Sequence, residues 1–152
     1  MAIDTVLVAV GRGDEKEARI ERLAEVIREY HDAAAPEFVL LHVFGEEERD
    51  DLVRQLDFDQ PADADADAVA RRHAVTRKLG GLLDDAGVTY TVRGEIDDDT
   101  ADAVVRIADE VGADRIITLG RTRTPAGKVV FGSVSQQILL HAHCPVTYVG
   151  SA

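Results

Sequence analysis

Ile116-Ile117-Thr118-Leu119-Gly120, then Arg121-Thr122-Arg123-Thr124-Pro125-Ala126-Gly127-Lys128, then Gly132-Ser133-Val134-Ser135, is the stretch that decides the fold. A short apolar run ends at a glycine, a basic Gly/Pro loop follows, and a periodic apolar helix opens at the second glycine. Cys144-Pro145 then breaks into a final strand, Val146-Thr147-Tyr148-Val149. Strand, glycine loop, helix and strand make a βα-type unit. A glycine loop feeding a helix start offers unpaired backbone N–H groups and the positive end of the helix dipole, which suits a phosphate. Arg121, Arg123 and Lys128 reverse the local sign of charge in a chain of net charge -12. The contrast points to an anionic ligand.

The same alternation runs outward to the N-terminus. Thr5–Val10 is a near-continuous β-branched run, as a strand buried on both faces requires. Gly11-Arg12-Gly13 reads as a turn, Asp14 as an N-cap, and Ala18, Ile20, Leu23, Ala24, Ile27 and Tyr30 as one helical stripe. Phe38 to Phe44 is a second strand. Residues 45–60 read as acidic and irregular, and one long helix is expected from about Ala62 to Ala86, ended by Gly87. Val88–Val92 reads as the third strand. Asp99 with Asp102 forms a capping arrangement for a helix stopping near Gly112. The pattern predicts one α/β domain over residues 1–152: a mostly parallel sheet with helices on both faces.

Composition limits the function. The 152 residues suffice for one full core. No apolar run approaches the roughly 20 residues of a membrane span, the N-terminus has no signal-like segment, and Cys144 is alone, so a cytosolic protein is expected. There are 29 acidic residues against 17 basic, only three lysines and no Trp. Such a surface argues against nucleic-acid binding and resembles that of proteins from extreme halophiles.

Other patterns carry less. His141-x-His143-Cys144 looks like a metal triplet, but residues two apart on a helix diverge, so helix-end histidines are the better account. His42 reads as a satisfied core or cleft-edge histidine. Asp63, Asp65 and Asp67 begin like a calcium loop, yet the required glycine is missing and Ala74 stands at position twelve, which leaves a solvated acidic segment. Ser135 is read as a lesser ligand candidate, or as a hydroxyl facing solvent or back-bonding to its own helix. No catalytic constellation emerges, so binding without turnover is expected. The last strand is apolar, lies at an edge and lacks a lysine or interior proline. A homodimer through Val146, Thr147, Tyr148 and Val149 follows.

Taken together, these residues resemble the universal stress protein family over essentially the full length. The features that carry the resemblance are Val6–Val10, Leu41-His42-Val43, Gly112-Ala113-Asp114 leading into Ile116–Gly120, Gly132-Ser133-Val134-Ser135 and Cys144-Pro145-Val146. The resemblance implies an open five-stranded parallel sheet in the order 3-2-1-4-5, Rossmann-like and of the adenine-nucleotide α-hydrolase type. Its switch point lies between strands one and four. It also implies a cleft for ATP or a related adenine nucleotide, with Mg2+ only as the nucleotide's companion. The triphosphate would lie over Gly132, Ser133, Val134 and Ser135, and the base between Ala9, Val10 and Gly11 on one side and Val43 on the other. Leu119, Gly120, Arg123 and Gly127 complete the expected site. Members that bind ATP carry Gly, two residues, Gly, nine residues, then Gly with Ser or Thr. Here Arg123 occupies the middle glycine position, the loop is one residue shorter, and Gly11 stands where binding members have an Asp. Two alternatives stay open: a dimeric signalling or interaction module that does not bind nucleotide, and an adenine-nucleotide hydrolase.

Overall fold

A computed structural model describes residues 2–11, 16–56, 65–120 and 132–150. Five strands form one parallel sheet in the order β3-β2-β1-β4-β5. They are β1 (Thr5–Val10), β2 (Glu37–Phe44), β3 (Tyr90–Ile96), β4 (Arg115–Leu119) and β5 (Val146–Val149). The helices are α1 (Glu17–Ala34), α2 (Glu46–Gln55), α3 (Ala66–Arg72), α4 (Ala74–Asp85), α5 (Thr100–Val111) and α6 (Ser133–His141). The expected sheet order and helix-on-both-faces architecture are what the molecule shows.

Side-chain alternation divides the core into two layers. Val6, Val8 and Val10 of β1 join Phe38, Leu40, Ile117, Leu119 and Val149 under α1 and α4. Leu7 joins Leu41, Val43 and Ile116 under α5 and α6, where Val104, Ile107 and Ile138 close the layer. Burying each such side chain stabilises by about 1.5–3 kcal/mol, so a strand with Val6, Leu7 and Val8 all inaccessible belongs at the centre of the sheet. A satellite cluster of Phe44, Val69 and Ala70 sits beneath α2 and α3.

Three expected elements need correction. The long helix from Ala62 to Ala86 is two helices, α3 and α4, separated at His73, which is extended at φ -63, ψ 139. On one continuous wheel the Val69/Ala70 stripe and the Val75/Leu79/Leu83 stripe would point about 130° apart. The bend lets α3 face the satellite cluster while α4 faces the main core. Residues 45–60 are not irregular throughout, because Glu46–Gln55 is helical. Three glutamates in its first turn suit the dipole, the Asp98 carboxylate accepts the Glu46 N–H at 3.4 Å, and Leu52, Val53 and Leu56 pack on the satellite cluster. The third strand is Tyr90–Ile96, displaced from Val88–Val92. Gly87 takes φ +72 and the Val88 N–H donates to the Leu83 carbonyl at 2.9 Å, so Val88 closes the end of α4. The strand runs on through Arg93-Gly94-Glu95 because its outer face pairs Arg93 with Glu110 and Arg106 with Glu95. At its edge the Asp67 carboxylate accepts the Gly94 N–H at 2.7 Å. A Cβ at Gly94 would overlap the Ala66 carbonyl, so only glycine lets α3 lie this close.

Smaller readings divide the same way. Asp99 caps α5 by accepting the Asp102 N–H at 3.1 Å, and Gly112 ends that helix at φ +68. The α1 stripe buries Ile20, Leu23, Ala24 and Ile27, with Val26 added and Ala18 left exposed. The N-cap of α1 is Lys16, and Asp14 lies outside the described residues.

Candidate functional site

β1 and β4 are neighbours, pairing Val6 with Arg115 through Ala9 with Thr118. From the end of β1 the chain leaves toward α1 on one face, and from the end of β4 toward α6 on the other. Their carboxyl ends therefore bound a crevice at the topological switch point. Val10 and Gly11 lie on one side of it, Leu119 and Gly120 on the other. Val10 also aligns with His42 of β2, next to Val43. Val10, Val43 and Leu119 are buried and Ala9 and Gly11 half-buried, so the apolar residues expected around a base share one end of the sheet.

Gly132 is the N-cap of α6, at φ -64, ψ 157, and the first intrahelical bond of the helix runs from the Gln136 N–H to the Gly132 carbonyl. The N–H groups of Ser133, Val134 and Ser135 thus precede the ladder. Gly132 itself has no side chain to cap this end, and no acidic residue occupies its first turn. Every other described helix has a capping side chain, an acidic first turn, or both. In a chain with 29 acidic residues, that leaves α6 the start most favourable to an external anion.

Two of the expected ligand residues are engaged within the protein. The Ser135 hydroxyl is buried and donates to the Leu119 carbonyl at 3.4 Å, which corrects its reading as solvent-facing or bonded to its own helix. The Gly120 N–H donates to the Val149 carbonyl at 2.6 Å. A Cβ at Gly120 would overlap the Tyr148 ring, so the packing of β5 requires this glycine. Ser133 is exposed and Val134 half-buried against the α5/α6 layer. Arg121, Arg123, Gly127 and Lys128 lie outside the described residues.

His42 is wholly buried, with its ring 4.7 Å from Phe44 and 4.3 Å from His73. Among the described residues neither of its nitrogens has a hydrogen-bond partner, and its Nε2 stands 3.7 Å from Glu48 Oε1. It is a core histidine, and the described residues leave its ring nitrogens unsatisfied. His141 and His143 serve separate contacts, to Gln137 at 3.0 Å and to Asp109 at 2.8 Å. Asp65 and Asp67 are structural acceptors, for the Ala68 and Gly94 N–H groups, and Asp63 lies outside the described residues. Among the described residues no cluster of three His, Cys, Asp or Glu side chains could hold a metal ion. No described helix is long and apolar enough to cross a membrane.

Three groups of displaced protonation, Asp114, Cys144 and Tyr90, lie toward the amino-terminal ends of the strands, away from the crevice. Backbone N–H groups of Asp4 and Thr5 hold the Asp114 carboxyl below its ordinary value. Burial raises the Cys144 thiol, and burial with the Asp84 charge raises the Tyr90 phenol.

Comparison with known proteins agrees with this architecture. A model of the universal stress protein family matches residues 2–150, and the chain belongs to that family. A universal stress protein of Mycolicibacterium smegmatis is 31% identical over 87 residues, 57% of this chain and 67% of that one. The solved universal stress protein of Archaeoglobus fulgidus superposes with a TM-score of 0.67 at 22% identity, covering 96% of this chain and 98% of the other. A universal stress protein solved in complex with cAMP gives 0.67 at 19% identity over the whole of both chains. A family member from Arabidopsis thaliana with AMP bound gives 0.62 at 17%, over 98% and 92%. At these identities the solved structures establish the shared fold.

Proposed function

We propose that this universal stress protein is a cytosolic, homodimeric stress-response protein that binds an ATP-like adenine nucleotide at the β1/β4 crevice and acts by occupancy without turnover. One observation carries the reading: α6 starts at the switch point, its Ser133, Val134 and Ser135 N–H groups precede the intrahelical ladder, and its first turn holds no acidic residue. The phosphates lie against the amides of Ser133, Val134 and Ser135, and the base lies between Ala9–Gly11 and Val43. Arg123 stands at the family's middle glycine position and supplies charge for the phosphates. Mg2+ enters only with the nucleotide. The cAMP and AMP carried by family members of the same fold support the ligand class.

Among the described residues β5 pairs with β4 alone and ends the sheet, which supports pairing of its outer edge with a second copy. Sedimentation equilibrium tests the dimer, with an expected mass twice that of the 16.5 kDa chain. The net charge of -12 reads as adaptation to high salt, and a melting temperature that rises with KCl is the expected behaviour.

Calorimetry with ATP, AMP and cAMP, each with and without Mg2+ in molar KCl, tests the ligand. At least one nucleotide should give a saturable heat and a thermal shift. Silence from all three refutes the reading and leaves the dimeric interaction module. One observation favours that second reading: the Gly120 amide is taken by Val149 and therefore unavailable to a phosphate.

A further inference from the structure

A separate groove runs along the opposite edge of the sheet, where the end of α3 and the length of α4 meet β3. It is open, about 590 Å³, and lined by Arg71, Thr76, Arg77, Gly81, Tyr90 and Val92 among others. Three independent features converge in it. First, Thr76 is 3% exposed and its buried hydroxyl oxygen has no hydrogen-bond partner among the described residues. A helical threonine ordinarily bonds a carbonyl one turn back, but the bend at His73 interrupts the helix there. Second, Gly81 lies inside α4 although a Cβ at that position would meet nothing within 4 Å. Glycine weakens a helix interior, and here no internal packing demands it. Its neighbour Gly80 differs, because a Cβ there would overlap the Tyr90 hydroxyl. Third, Arg71 and Arg77 are exposed and, among the described residues, form no ion pair, whereas Arg93 and Arg106 are paired with carboxylates.

We propose that this groove is a second binding site, for a small ligand with one oxyanion group, phosphate or carboxylate, on an apolar body. The oxyanion is held at the bend, where Arg71 closes α3 and Thr76 and Arg77 open α4. Two guanidinium groups and a buried hydroxyl form a donor set matched to such a group. The apolar body lies over the floor that Gly81 leaves bare, against Val92 and the Tyr90 ring. Asp84, near the far end of α4, accepts from the Tyr90 hydroxyl at 3.5 Å and orients the ligand by repelling its charged end. Two guanidinium groups and one hydroxyl match a single oxyanion, so the ligand carries one charged group.

The experiment titrates the full-length 15N-labelled chain with phenyl phosphate and, separately, with phenylacetate, following amide resonances. Saturable shifts are expected at Thr76, Gly81 and Val92, and whether one probe or both produce them identifies the oxyanion. The Arg71→Gln/Arg77→Gln variant should bind at least tenfold more weakly. Gly81→Leu, which fills the floor and raises helix propensity, should abolish binding while circular dichroism stays native. Shifts that do not saturate, that persist unchanged in the arginine variant, or that occur only at Ser133–Ser135 overturn the proposal. If Gly81→Leu fails to fold, the arginine variant alone decides.

Discussion

Replacing Ser133 with proline isolates the backbone donor on which the nucleotide reading depends. Ser133 is the first residue of α6, and its N–H precedes the intrahelical ladder, so proline there removes no helix hydrogen bond. Gly132 already has ψ 157, the extended conformation required before a proline. The Ser133 side chain is exposed, and surface changes of this kind shift stability by about 0.5 kcal/mol or less. What is lost is one amide donor to a phosphate. A hydrogen bond to a charged group contributes about 1.5–3 kcal/mol. Affinity for the nucleotide should therefore fall roughly ten- to a hundredfold. Isothermal titration calorimetry with ATP measures the change, and far-UV circular dichroism verifies that α6 persists. Ser133→Ala, which keeps the amide, should bind within about twofold of the parent, since less than 0.5 kcal/mol is at stake. An unchanged Kd for the proline variant with native helicity would refute the amide site. An equal loss in the alanine variant would shift the contact from backbone to hydroxyl.

Other substitutions test the frame around the crevice. Gly94→Ala drives a methyl group into the Ala66 carbonyl and should destabilise by about 3 kcal/mol or more, read as a lowered urea midpoint. His42→Leu removes two buried nitrogens that lack hydrogen-bond partners among the described residues and should stabilise by about 1 kcal/mol at neutral pH. A loss instead would show that the Glu48 contact at 3.7 Å stabilises the native histidine. The Asp114 carboxyl, bonded by the Asp4 and Thr5 N–H groups, is held below its ordinary 3.8 in the folded chain. Its contribution is thus full above that value and disappears as pH falls through the lower folded value. Asp114→Asn should melt at a lower temperature than the parent at pH near 7, and the gap should close in acid.

The sheet was legible because its signals are local. The apolar run Thr5–Val10 and the short run Ile116–Leu119 can be buried on both faces only in a parallel sheet. Asp99 and Gly112 marked α5 because capping and the left-handed exit act within a few residues. The misread elements depend on distant partners. α2 is a polar helix with no buried residue, capped by Asp98, 52 positions from Glu46. The bend at His73 was partly visible in the mismatch of the Val69/Ala70 and Val75/Leu79/Leu83 stripes, a signal that composition alone does not carry. The third strand runs past Val92 because Arg93 and Glu95 find charged partners across the sheet face. Their partners Glu110 and Arg106 lie on α5.

The candidate site divides along the same line, and the division bears on function. Gly120 and Ser135 both stand in the stretch expected to contact phosphates, yet they hydrogen-bond to Val149 and Leu119, residues far off in sequence. Gly120 therefore joins β4 to the edge strand, and Ser135 joins α6 to the end of β4. Tyr148 packs over Gly120, and Tyr30 of α1 meets the Thr147 hydroxyl at 2.6 Å, so the edge strand is fastened from both faces. The edge proposed for a second copy and the amides proposed for an anion are thus held by one set of contacts. A change at Gly120 should disturb both together, whereas Ser133, outside that set, should affect the anion alone.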